Sequence, residues 1–155
     1  MSSSATQANP QHSTRVLIYD DDEVLLDLLG TVLIREGYEI ETTRCAQEGV
    51  HLISTRPFEA AIVDLGLRRT SGYGLVRKIR EVSPGTAILA VSAYPSDWVV
   101  GFARTHAHGF LDKPFSLAEL VRQVGELLEL GGHTTETELA QSPAALGIEA
   151  AEVVV

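Results

Sequence analysis

The sequence holds a single cysteine, Cys45, which excludes an internal disulfide and a metal site built on several thiolates. A lone thiol in a folded domain usually takes an enclosed apolar position, and that is the expectation for Cys45. Positive charge is also scarce: 12 basic residues face 21 acidic ones, for a net charge of -9. Without a basic cluster to neutralise phosphates, direct binding to nucleic acid is not expected. No apolar run approaches the length of a membrane span, so no membrane contact is expected. Residues Met1 to Thr14 have neither a basic start nor an apolar stretch, so no export signal is read and the cytoplasm is the expected compartment.

What is present is 45% hydrophobic residues in a chain of 155, enough for one packed domain with tails. Met1 to Thr14, rich in Ser, Gln and Thr, reads as a disordered arm (residues 1–14). The domain is expected over residues 15–130, and residues 131–155 read as a C-terminal tail holding at most a short helix. Val24, Leu25, Leu28, Leu29, Val32 and Leu33 recur at three- and four-residue spacing and predict a first helix that stops before Gly37. Tyr38 to Thr42 alternates weakly and reads as a strand. Ala46, Val50 and Ile53 mark a second helix ahead of Pro57. Leu75, Val76 and Ile79 predict a third helix with Ser71 as its cap. Ser96-Asp97 opens a fourth, with Trp98, Val99 and Phe102 as its core stripe. Ser116 and Glu119 form a capping box for a fifth, which ends at Gly131-Gly132.

Between these helices lie short apolar runs that each end on a polar group. Val16 to Tyr19 ends on Asp20-Asp21, Ala61 to Val63 on Asp64, Ile88 to Val91 on Ser92, and Phe110-Leu111 on Asp112-Lys113. Such runs are strands of a parallel sheet covered on both faces, and these sheets collect ligands at the carboxyl ends of their strands. Three carboxylates, a hydroxyl and an ammonium would converge there. Oxygen ligands suit a hard divalent cation, and a lysine meets a phosphoryl group as a point charge. Asp22 and Glu23 are explained by the helix N-terminus, where unpaired amides favour anions, but capping needs only one carboxylate. His106 and His108 alternate as if on one side of a strand; with no third His or Cys nearby they read as ordinary loop and strand-end residues.

Taken in order, Asp20-Asp21, Asp64, Gly72, Ser92-Ala93, Phe110 and Lys113-Pro114-Phe115 resemble the receiver domain of two-component response regulators. The resemblance covers roughly residues 15–130. It implies a flavodoxin-like (βα)5 three-layer α/β fold with a parallel sheet of order 2-1-3-4-5. It also implies a phosphoacceptor at Asp64, Mg2+ held by Asp20, Asp21, Asp64 and the backbone carbonyl of Gly66, and Lys113 paired with the phosphoryl group. Ser92 and Phe110 would be the switch pair, and Lys113-Pro114 would be cis. The implied donor is a sensor histidine kinase or a histidine phosphotransfer protein. The output would pass through contacts with an unidentified downstream protein or a phosphorylation-dependent homodimer, in a single-domain regulator with no enzymatic activity beyond its own phosphorylation and dephosphorylation.

Two departures from the family pattern stand out. The segment Gly66-Leu67-Arg68-Arg69-Thr70-Ser71-Gly72 lacks the usual proline and acidic residue. Gly66 and Tyr94, two residues beyond Asp64 and Ser92, offer no carboxylate or amide to orient water, which implies a long-lived phosphoaspartate. A second family competes: the stretch to Asp20-x-Asp22-x-Val24 also resembles the opening motif of haloacid-dehalogenase-like phosphohydrolases, with Asp20 as nucleophile. That family needs a further acidic pair after its lysine, and none follows Lys113. A third reading is a receiver-like interaction module that works without phosphorylation.

Overall fold

The structure, a computed structural model, describes residues 13–66 and 71–132. Strand and helix alternate throughout: β1 (Arg15–Tyr19), α1 (Glu23–Arg35), β2 (Glu39–Thr43), α2 (Ala46–Thr55), β3 (Ala60–Asp64), α3 (Ser71–Val82), β4 (Ala87–Ser92), α4 (Asp97–His106), β5 (Gly109–Asp112) and α5 (Leu117–Gly132). All strand pairs are parallel, and the sheet order is β2-β1-β3-β4-β5, as expected. The order reverses direction between β1 and β3, so the crevice at their carboxyl ends is the topological switch point of the sheet.

Side chains that alternate along each strand feed two separate cores. Val16, Ile18, Ile62, Leu89 and Leu111 face α1 and α5, where Leu26, Leu29, Leu33, Leu120 and Val124 are buried. Leu17, Ala61, Val63, Ile88 and Ala90 face α2, α3 and α4, packing on Ile53, Leu75, Val76, Ile79 and Phe102. Strands covered on both faces have no polar side to present, which is why β3 and β4 read as unbroken apolar runs.

Local signals account for the helix ends. Asp22 Oδ1 accepts from the Leu25 amide at 3.2 Å and caps α1. At the other end, Gly37 has φ +96°, and the amides of Gly37 and Tyr38 return to the carbonyls of Ile34 and Leu33, a Schellman closure that needs a residue free of a Cβ. Ser96 caps α4 through the Val99 amide, and Ser116 caps α5 through the Glu119 amide.

Several expectations need correction. Val24 is 77% exposed, and the buried stripe of α1 runs instead through Leu26, which the spacing argument passed over. Trp98 is 62% exposed while Val99 and Phe102 are buried, so only part of the α4 stripe is core. Cys45 is exposed at the N-cap of α2, where the chain leaves the sheet. β2 lies one residue later than expected; as an edge strand with half-exposed side chains it shows little alternation to fix its bounds. Ser71 is the first residue of α3 rather than the residue before it. α5, by contrast, ends at Gly132, within the glycine pair expected to stop it. The arm over 1–12 and the tail from 133 lie outside the described residues, as do Arg68, Arg69 and Thr70.

Candidate functional site

The loops after β1, β3, β4 and β5 bring Asp20, Asp21, Asp64, Ser92 and Lys113 to one end of the sheet. Asp20 leaves β1 with its amide on the Thr43 carbonyl at 3.3 Å, and its Oδ1 accepts from the Asp22 amide at 2.8 Å. This turn aims its second oxygen, Oδ2, at Lys113 Nζ, 2.8 Å away. Lys113 Nζ also lies 3.6 Å from Asp64 Oδ2, so one ammonium bridges the ends of β1 and β3. Lys113 is placed by its amide, which donates to the Ser92 carbonyl at 2.9 Å; the Lys113-Pro114 bond that follows is cis.

The acidic side chains are close enough to share an ion. Oxygens of Asp20, Asp21 and Asp64 lie within 4.8 Å of one another, and they form a group suited to a metal among the described residues. Asp21 is exposed at the mouth; the Asp64 side chain is 11% exposed and that of Lys113 19%. Their charges do not cancel. Burial, with the charges of Asp20 and Asp21 beside it, pushes the Asp64 carboxyl up to about 6 against the opposing pull of Lys113. For Lys113, burial pulls downward, but its hydrogen bond with Asp20 and the two carboxylates prevail and hold it above its ordinary value. Excess negative charge ringed by oxygen donors is the environment a hard divalent cation takes, so the residues present fit Mg2+.

The hydroxyl and the aromatic residue are nearby in the fold. Ser92, buried at the end of β4, accepts from the Tyr94 amide at 3.1 Å, a bond that does not use its own proton. Phe110 on β5 pairs in register with Ala90 and is half-buried against the α2–α4 side of the sheet. Asp112, by contrast, is exposed and outside the carboxylate group.

Two contributors had no role assigned to them from sequence: Gly72, present in the pattern without a stated reason, and Tyr73, not singled out at all. A Cβ at Gly72 would run into the carbonyl oxygen of Asp64, so the start of α3 can approach the end of β3 only through a glycine. Tyr73, the next residue, feels burial and the Asp64 carboxylate, both of which raise its phenol. It also packs against Trp98 and Phe102 with ring centroids 4.8 Å apart in each case, so an aromatic group adjoins the acidic pocket. No spacing rule joins residue 73 to 98; only the packing of α3 on α4 does.

Residues 16–125 match the family model for the response regulator receiver domain. Among curated proteins, the response regulator SaeR of Staphylococcus epidermidis is 31% identical over 116 residues, 74% of this chain and 50% of that protein. The transcriptional regulatory protein TrcR of Mycobacterium tuberculosis is 31% identical over 121 residues, 77% of this chain and 47% of that protein. The chain thus spans about half the length of these relatives. Among solved structures, a CheY-like response regulator receiver domain protein from Methanospirillum hungatei superposes with a TM-score of 0.74 at 30% identity, covering 77% of this chain and 97% of that one. The response regulator TrrA of Thermotoga maritima, solved in complex with Mg2+-BeF, superposes with a TM-score of 0.66 at 27% identity, covering 74% and 98%.

Proposed function

The chain belongs to the receiver-domain family of response regulators, and on that premise we propose that it is a signalling switch phosphorylated on Asp64. The observation that carries this reading is the convergence of Asp20, Asp21 and Asp64 at the sheet ends, with the Lys113 ammonium between Asp20 and Asp64. The donor is a phosphohistidine of a sensor kinase or a histidine phosphotransfer protein. An Asp64 oxygen attacks phosphorus, an O–P bond forms as the P–N bond breaks, and the imidazole leaves with a proton from solvent.

Each residue has a role in that transfer. Asp20, Asp21, Asp64 and the Gly66 carbonyl would hold the metal. When bound, Mg2+ supplies positive charge that keeps Asp64 ionised and offsets the charge of the incoming group. Lys113 is already within 3.6 Å of Asp64 and exchanges its carboxylate contact for a phosphoryl oxygen. Ser92 can donate its unused proton to the same group, and the inward pull on its loop makes room for Phe110 to turn. The output acts through protein contacts in the cytoplasm rather than by direct contact with nucleic acid.

The test is intact-mass analysis after incubation with Mg2+ and a small acyl phosphate. One phosphoryl group is expected on the parent and on Asp22→Asn, and none on Asp64→Asn. Labelling that survives Asp64→Asn and disappears in Asp20→Asn would instead support the hydrolase reading.

A further inference from the structure

At the opposite end of the sheet from the acidic pocket, His108 is an imidazole with more donors around it than it can accept. Its Nδ1 lies 2.9 Å from the Ile88 amide of β4, a donor with no alternative role, and its own amide returns to the Ile88 carbonyl. Its Nε2 lies 3.3 Å from Arg80 Nη1, at the end of α3. A guanidinium can only donate, and so can a backbone amide. Neutral imidazole has one acceptor nitrogen; His108 is exposed at the edge of the sheet, and partial desolvation together with the Arg80 charge holds it below its ordinary value. With Nδ1 committed to Ile88, the ring proton sits on Nε2 and faces Arg80, donor to donor. An anion placed between them would accept from both. Among the described residues Arg80 makes no ion pair, and residues 71–108 carry four basic side chains against two acidic ones in a chain of net charge -9.

This chain itself contains an occupant of the right chemistry. Residues 133–155 hold four glutamates, Glu136, Glu138, Glu149 and Glu152, and no lysine or arginine. They follow α5, which covers the other face of the sheet, and must pass round the edge strand β5 to reach the notch, because Gly109 faces α5 whereas His108, one residue before it, faces α3. Leu127 of α5 lies 3.5 Å from where a Cβ of Gly109, the neighbour of His108, would be. α5 ends five residues later at Gly132, about 7.5 Å further along the helix. Glu136 and Glu138 follow within four and six residues, a reach of up to about 20 Å in extended chain.

We propose that Arg80 and His108 form a carboxylate-binding notch whose occupant is the acidic segment 133–155 of the same chain, with Glu136 or Glu138 accepting from both donors. Tethering keeps the carboxylates at an effective concentration on the order of millimolar, so a weak surface contact suffices. The contact is electrostatic and opens in high salt. It stands apart from the phosphorylation reading and does not depend on it.

The test uses the whole protein carrying Cys45→Ser and a nitroxide on Thr137→Cys, with the amide signals of Ile88, His108 and Gly109 read by NMR. Expected is an intensity loss of at least about threefold relative to the reduced label, confined to this edge. The loss is expected to disappear in Arg80→Gln, in the double variant Glu136→Gln/Glu138→Gln, and in concentrated salt. Arg80 is exposed, so its variant keeps the fold. Broadening that is unchanged in Arg80→Gln, or spread evenly over the domain, overturns the proposal. Broadening that appears when spin-labelled protein is mixed with a separate isotope-labelled sample, and grows with concentration, assigns the segment to a second copy and overturns it too.

Discussion

Asp64→Asn should make the metal-free protein more stable, although it removes the residue at the centre of the proposed chemistry. In the folded chain the Asp64 carboxyl is raised from 3.8 to about 6, first by burial and then by Asp20 and Asp21. A carboxyl raised on folding contributes stability below its unfolded value and loses that contribution as pH climbs through the folded one. Above pH 7 the ionised side chain therefore works against the fold. A shift of roughly two units corresponds to just under 3 kcal/mol, which solvent at the pocket mouth reduces to about 2 kcal/mol. Asparagine keeps the shape and removes the charge. Urea unfolding in EDTA at pH 7.5 should show the variant about 2 kcal/mol more stable, a midpoint shift on the order of 1 M at the usual urea slope for a small domain. At pH 4 the two proteins should nearly coincide, because the parent carboxyl is then protonated when folded. Adding Mg2+ at pH 7.5 should raise the parent more than the variant. A variant no more stable than the parent at pH 7.5, or a difference equally large at pH 4, would refute the electrostatic account of the pocket.

Three further outcomes are expected. Lys113→Met leaves the Asp20 and Asp64 carboxylates without their shared cation and should cost about 2–3 kcal/mol at pH 7.5 in EDTA by urea unfolding, with part recovered on adding Mg2+. Gly72→Ala drives a methyl into the Asp64 carbonyl and should cost roughly 1–3 kcal/mol and slow phosphorylation, read by thermal melting and by intact mass. Tyr94→Glu should hasten loss of the phosphoryl group by supplying a polar anchor for water; it is a cleaner test than a side chain at Gly66, whose Cβ would press on Asp64 Oδ2 at 3.3 Å. Tyr94 is 58% exposed, so this change should leave the fold intact.

Where residues carry their own local reason, the sequence was easily read. β3 and β4 are fully covered, so their apolar runs are unbroken; Asp22, Ser96 and Ser116 cap helices through bonds to amides three residues away. The strand ends then followed from fold geometry, and with them the grouping of Asp20, Asp21, Asp64 and Lys113. What escaped depends on contacts distant in sequence. Trp98 shares a helical stripe with Phe102, but it lies over Tyr73 at the rim rather than beneath the helix. Val24 and Leu26 are both compatible with α1; the exact rotation of the helix on the sheet decides which is buried. Cys45 is exposed at the N-cap position of α2, where its side chain makes no capping bond, and apolar character alone does not foresee that position. The crowded donors at His108 arise only because β4, β5 and the end of α3 meet, 20 and 28 residues apart in the chain.

The central claim is that the nucleophile is Asp64, and trapping the acyl phosphate tests it most directly. After phosphorylation with Mg2+ and a small acyl phosphate, borohydride reduction converts an aspartyl phosphate to homoserine at the modified residue, and peptide mass mapping locates it. Homoserine at position 64 and nowhere else is the predicted result. Homoserine at position 20, or none in a protein whose intact mass shows that it took up phosphate, would contradict it.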